Sequence, residues 1–213
     1  MEKDQTLAER ISSRLAERIV SGVLEPGVQL RQDRIGQEFD TSHVPVREAF
    51  RRLEAQGLVV SAPRRGVRVA PLDAEGIHEI TEMRATLEAL ALQHALPQMT
   101  ESDLEAAKEA LERGEASDDI AVWEDANRAF HNALMRPCAM PRLLATIEDL
   151  QRSSARFLFA TWRELDWQHR SEKEHVEIFS AVAADDAAHA IETLIRHVSA
   201  AGQALVSAVQ EQA

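Results

Sequence analysis

Between Thr41 and Val59 the chain reads TSHVPVREAFRRLEAQGLV, a tight turn followed by one short basic helix. Ser42 stands where an N-cap side chain can accept from an unpaired backbone N–H. Pro45 lies in the first turn, where a missing N–H costs nothing. Val46, Ala49, Phe50 and Leu53 recur at helical spacing and predict a core-facing stripe. Arg47, Arg51 and Arg52 fall on other faces, and Gly57 stops the helix before the apolar run Leu58-Val59-Val60. A short helix with a basic exposed side suits a DNA major groove.

The flanking residues complete a winged helix-turn-helix. Thr6 to Ser21 carries an amphipathic stripe of Leu7, Ile11, Leu15, Ile19 and Val20. Gly22, Pro26 and Gly27 mark a loop, Gln32 to Phe39 a second helix, and Asp40 to Ser42 the turn. Leu58 to Ser61 and Val67 to Ala70 read as the strands of a β-hairpin wing, with Ala62-Pro63-Arg64-Arg65-Gly66 at its tip. The expected DNA contacts are Arg31, Ser42, His43, Val44, Arg47 and Arg51 from the helical part and Arg64, Arg65 and Gly66 from the wing, base edges giving specificity and phosphates register. An ordinary helical domain with an arginine-rich solvated face accounts for each feature singly, but not for their combination.

A net charge of −12 argues at first against a polyanionic partner. The charge is unevenly distributed. Residues 1–71 hold 12 Lys and Arg against 10 Asp and Glu, a net of +2, and the remainder holds 12 against 26, a net of −14. The acidic part can stay away from DNA while the basic part makes affinity steeply salt-dependent. No apolar run reaches membrane-spanning length, and Met1-Glu2-Lys3-Asp4 does not begin a signal peptide, so a cytoplasmic protein with no membrane partner is expected. The lone Cys138 excludes an intramolecular disulfide framework and is expected as a small buried residue.

The chain is therefore expected to be mainly α, with two domains: 1–71, the winged helix-turn-helix, and 72–213, an antiparallel all-α bundle. Helices are expected at Ala74–Ala95, Thr100–Gly114, Asp118–Met135, Pro141–Trp162, Gln168–Ala184 and Asp186–Ala208, separated by Pro97, Gly114 to Asp118, Pro137 with Pro141, Leu165-Asp166 and Asp185. Thr100-x-x-Asp103 and Ser171-x-x-Glu174 read as capping boxes. Asn127 and His131 lie four apart on one helix face, and His175 and His197 sit in apolar-periodic stretches of the last two helices. Three imidazoles and an oxygen donor can hold a divalent ion. From spacing alone, core or surface histidines are the better account of them.

The first domain resembles the GntR transcriptional regulators over roughly residues 7 to 70. The resemblance rests on Ser42-His43-Val44-Pro45-Val46-Arg47-Glu48-Ala49-Phe50, Leu53-Glu54, Gly57-Leu58-Val59 and Arg64-Arg65-Gly66-Val67-Arg68-Val69. His43 replaces the arginine most common there, which alters how a base edge would be read. The helical part, about residues 75 to 205, resembles the effector-binding FCD domain of the FadR subfamily. It carries Arg84-x-x-Leu87-Glu88, Asn127-x-x-Phe130-His131, Glu174-His175 with Ile178 and Ala181, Asp186-x-x-x-Ala190, and His197.

The resemblance implies a repressor that binds double-stranded operator DNA and responds to a small organic, sugar or amino acid. It also implies a divalent metal on Asn127, His131, His175 and His197, zinc in the first place, with nickel or manganese as alternatives. Many members carry aspartate where Asn127 stands. For Arg84 the family implies an effector carboxylate; a salt bridge to Glu88 or Glu177 is the competing reading. A metal-independent site for a long acyl ligand is the alternative regulator. A bundle metalloenzyme is disfavoured: no His-Glu-x-x-His or phosphate-binding glycine loop is present.

Overall fold

The structure, a computed structural model, describes residues 6–62, 66–71, 73–161 and 168–211. It divides into two compact units between Leu72 and Asp73.

In the first unit, α1 (Leu7–Val20) starts at a capping box in which Thr6 and Glu9 each serve the other's backbone N–H. It is followed by β1 (Gln29–Leu30), α2 (Gln32–Glu38), α3 (His43–Ala55), β2 (Val59–Ala62) and β3 (Gly66–Val69). Ile11, Leu15 and Ile19 of α1 meet Val46, Phe50 and Leu53 of α3 in one core with Leu58 and Val69. Burying each such large side chain contributes about 1.5–3 kcal/mol.

The turn between α2 and α3 is tight: a Cβ on Gly36 would lie 3.0 Å from the Thr41 carbonyl oxygen. The Thr41 N–H donates to the Gly36 carbonyl at 2.8 Å. Ser42 occupies the N-cap of α3, but its side chain makes no capping hydrogen bond. The expected cap is therefore positional only, and the Ser42 side chain is exposed.

The wing is a three-stranded antiparallel sheet of order β1-β3-β2, with Val59 opposite Val69, Ala62 opposite Gly66, and Gln29 opposite Arg68. The hairpin was expected and β1 was not. Two residues are too few to show an alternating pattern; β1 forms because β3 offers a second edge, which Val28 and Gly27 extend by backbone bonds to Val69. Arg64 and Arg65, expected at the wing tip, lie outside the described residues.

The second unit is a helical bundle of α4 (Ala74–Ala95), α5 (Glu101–Glu115), α6 (Ile120–Met135), α7 (Pro141–Thr161), α8 (Gln168–Ala183) and α9 (Ala187–Glu211). Asp73 caps α4, Thr100 and Asp103 form the expected box at α5, and Asp119 caps α6, which begins two residues later than expected. Ser171-x-x-Glu174 is not a capping box: α8 already begins at Gln168, and Ser171 is fully buried inside it. The expected end of α7 at Trp162 and the break at Leu165-Asp166 fall outside the described residues. Pro97 and Pro137 sit in single 3₁₀ turns, Leu96–Gln98 and Arg136–Cys138.

Helix α4 packs on α9 and α7, α5 on α6, and α8 on α9 and α5. Leu92, Phe130, Leu134, Ile178, Leu194 and Val198 form the main core. Cys138 is half-buried against a smaller cluster of Ala91, Met135 and Ile147. Among the described residues no helix is long and apolar enough to cross a membrane.

Candidate metal centre and nucleic-acid face

On the first unit, His43, Val44, Arg47 and Arg51 are all exposed on α3, and Arg31 is exposed at the N-cap of α2. Their spacing on α3 puts them on neighbouring faces of the helix, opposite the buried Val46, Ala49, Phe50 and Leu53. His43 Nε2 lies 3.2 Å from Asp33 Oδ1, so the residue that replaces the usual arginine already has an acidic neighbour on α2. Arg52 pairs with Glu9 at 3.1 Å and serves the fold rather than a ligand. Gly66 opens β3 at φ +76, in the left-handed region that a glycine adopts without strain.

In the bundle, α6, α8 and α9 bring His131, His175 and His197 together, each offering a ring nitrogen within 4.8 Å of the others. All three are buried, at 2, 4 and 4% exposure. His175 Nε2 and His197 Nε2 stand 3.1 Å apart. Two imidazoles bound at about 2.1 Å to one ion, at angles near 90–110°, place their nitrogens about 3.0–3.4 Å apart. Burial lowers the His175 ring well below its ordinary value, and lowers His197 to about 4, so both are neutral at pH 7. Neutral imidazole is the form that binds metal.

Behind the rings stand two carboxylates. Glu88 Oε2 lies 2.9 Å from His131 Nδ1, and Glu174 Oε2 lies 2.8 Å from His197 Nδ1. A carboxylate on Nδ1 fixes the tautomer with its proton there and leaves Nε2 with a free lone pair. His131 Nε2 is buried and has no hydrogen-bond partner among the described residues. That orphaned nitrogen, beside the close His175–His197 pair, is what a metal-binding set shows and what an ordinary core histidine avoids. The donor set therefore fits a borderline divalent ion.

Arg84 sits on α4 with Nε donating to Glu88 Oε1 at 2.8 Å and Nη1 to Ser154 Oγ at 3.1 Å. The Glu88 pairing expected as one of two readings is present; Glu177 instead pairs with Arg196 and His189. Arg84 nevertheless lines a cavity of about 40 Å³ together with Asn127 and His197. Burial tends to raise the Glu88 carboxyl, but Arg84 and His131 more than reverse this and hold it at about 2. Asn127 is half-buried on the same cavity wall, and its Nδ2 donates to Glu124 Oε2 at 3.1 Å. Burial pushes the Glu124 carboxyl up to about 7, so near neutral pH it is close to half-protonated. On the same helix Met83 and Leu90 are 40 and 38% exposed, so the apolar residues of α4 do not all face the core.

Glu88 was visible in the sequence as a possible partner of Arg84 and Glu174 only as part of a motif; neither was legible as the carboxylate behind a histidine. The signal was a glutamate at a core position, as with Glu88 between Ala85 and Leu92, which a helix tolerates only if the charge finds partners.

Residues 79–200 match the family described as FCD domain, and residues 7–69 match the bacterial regulatory proteins of the gntR family. The chain is 28% identical over 168 residues to the Nta operon transcriptional regulator of Aminobacter aminovorans, covering 77% of this chain and 78% of that protein. It is 28% identical over 191 residues to the transcriptional repressor GlaR of Escherichia coli, covering 84 and 87%. The structure of Escherichia coli McbR/YncC superposes with a TM-score of 0.80 at 23% identity over 98% of this chain and 100% of that one, a likeness of fold. With a winged helix-turn-helix followed by a helical bundle, the chain belongs to the GntR family of bacterial transcriptional regulators that carry an FCD domain.

Proposed function

We infer that the protein is a ligand-responsive repressor that binds a palindromic operator as a homodimer and senses a small carboxylate through Arg84 and a divalent ion. One recognition helix covers only a few base pairs, and a two-fold dimer doubles the readout. That a relative is named a repressor supports this direction of control.

The observation that carries the sensing half is the convergence of His131, His175 and His197, with Glu88 and Glu174 orienting two of the rings. These three imidazoles would hold the ion, with Asn127 Oδ1 as the further oxygen donor. Zinc suits the set best, nickel or manganese being the alternatives. A bound ion supplies positive charge and a coordination position for an anionic oxygen. Arg84 lines the same cavity as His197 and offers a planar guanidinium to the same anion. A long acyl ligand is disfavoured, because it would bury the polar walls of Arg84, Asn127 and Ser154 against hydrocarbon. The effector changes operator affinity only if it binds the DNA-free and DNA-bound states differently, and a coupling of about 1–3 kcal/mol gives a switch of roughly 5–150-fold.

The test has two arms. Full-length protein purified without chelator is expected to carry one divalent ion per subunit by mass spectrometry, and His175→Ala to lose most of it; a metal-free wild type defeats the sensing half. In duplex selection from a random pool, Arg47→Ala is expected to relax base preference, costing about 1–3 kcal/mol on the selected site. Arg65→Ala is expected to weaken all sequences alike and flatten the salt slope. Wild-type affinity that does not change with salt defeats the DNA half.

A further inference from the structure

We propose that Gln151 and Ser171 form a hydroxyl-reading arm of the effector cavity, selecting a short hydroxylated carboxylic acid over both the plain acid and the amino acid. This rests on the carboxylate reading above and narrows it to one chemical class.

Gln151, on α7, is 4% exposed, and Ser171, on α8, is fully buried. Both line the cavity that Arg84 and His197 line. Gln151 Oε1, Gln151 Nε2 and Ser171 Oγ are each buried without a hydrogen-bond partner among the described residues. Other polar groups of the same cavity are satisfied: Ser154 Oγ accepts from Arg84, and Glu124 Oε2 accepts from Asn127. An unmet buried polar group costs about 1–3 kcal/mol. Three such atoms, on two residues from different helices that line one cavity, are the mark of groups kept for a ligand rather than for the fold.

The kind of group they await follows from their chemistry. A carboxamide presents an acceptor and a donor side by side, and a serine hydroxyl does both jobs at one atom. A ligand hydroxyl also donates and accepts, so one or two hydroxyls can satisfy Gln151 and Ser171 together. An ammonium only donates: it would leave Gln151 Nε2 unmet and set a second cation beside Arg84. A methyl group would leave all three atoms unmet. The cavity of about 40 Å³ is several times the minimum for one water and suits a ligand of a few carbons.

Calorimetric titration of the full-length, metal-containing protein with glycerate, propionate and alanine, three probes with the same carbon chain, tests this. Glycerate is expected to bind at least tenfold more tightly than the other two, the scale of one lost hydrogen bond in a site built to make it. Gln151→Met should bring glycerate down to the affinity of propionate and leave propionate unchanged; Ser171→Ala should do the same in part. Without ligand, Gln151→Met should melt no lower than wild type, because an apolar side chain of similar volume replaces an unmet amide. Equal binding of glycerate and propionate, equal weakening of both by Gln151→Met, or a marked fall in the melting temperature of unliganded Gln151→Met overturns the hydroxyl arm alone. No binding by any of the three acids overturns the carboxylate reading, and this proposal with it.

Discussion

Replacing Glu88 by glutamine tests the hub of the bundle. Glu88 is fully buried, accepts from Arg84 Nε at 2.8 Å and lies 2.9 Å from His131 Nδ1. Its carboxyl titrates at about 2 in the fold, against an ordinary value of 4.5. At about 1.36 kcal/mol per pH unit, that difference corresponds to roughly 3 kcal/mol of stability. Because the folded value is the lower one, this contribution is fully present above pH 4.5 and is lost as pH falls through 2. Breaking a buried ion pair by removing one partner independently suggests about 3–5 kcal/mol. Glu88→Gln should therefore lower stability at pH 7 by about 3 kcal/mol in urea titration, and the stability difference from wild type should shrink between pH 4.5 and 2. The same variant weakens the acceptor that orients His131, so metal affinity measured against a competing chelator should fall about 10–100-fold. A variant with wild-type stability and wild-type metal affinity would refute the reasoning, because neither the charge on Arg84 nor the orientation of His131 would then depend on the carboxylate.

Two further outcomes follow from burial and packing. In metal-free protein, His197 titrates at about 4 when folded and His175 well below its ordinary value, so the unfolded chain takes up protons first as pH falls below 6.5. Stability should be full above pH 6.5 and fall toward pH 4, by about 3 kcal/mol from His197 alone, and urea midpoints at pH 7 and pH 5 check it; equal midpoints would show that the rings are not held neutral by burial. Gly202 of α9 leaves no room for a Cβ against the Thr81 side chain of α4. Gly202→Ala should cost about 1–3 kcal/mol by thermal melting, and adding Thr81→Ala should recover most of it; a single variant as stable as wild type would show that the crossing has slack.

The sequence by itself determined the elements and the family. Helix α4 runs from Ala74 to Ala95 as its flanking Asp73 and Pro97 require, and α3 follows from Pro45, its apolar stripe and Gly57. These are local effects: propensity, capping and punctuation act over a few residues, so a linear reading captures them. Strand β1 escaped because it exists only as an edge to β3, and the apparent box at Ser171 misled because the same residues lie inside a helix that starts earlier. The three histidines were legible as candidates, but their meeting was not. His131 and His197 are 66 positions apart and come together only because α6 and α9 pack into one core with α8. The same holds for partners in space: Glu88 behind His131, Glu174 behind His197, Ser154 on Arg84, and Gln151 with Ser171 lining one cavity. A side chain's partner across the core depends on how helices cross, which no spacing along a single helix encodes. Tertiary packing alone therefore decided which of these buried polar atoms find a hydrogen-bond partner and which do not.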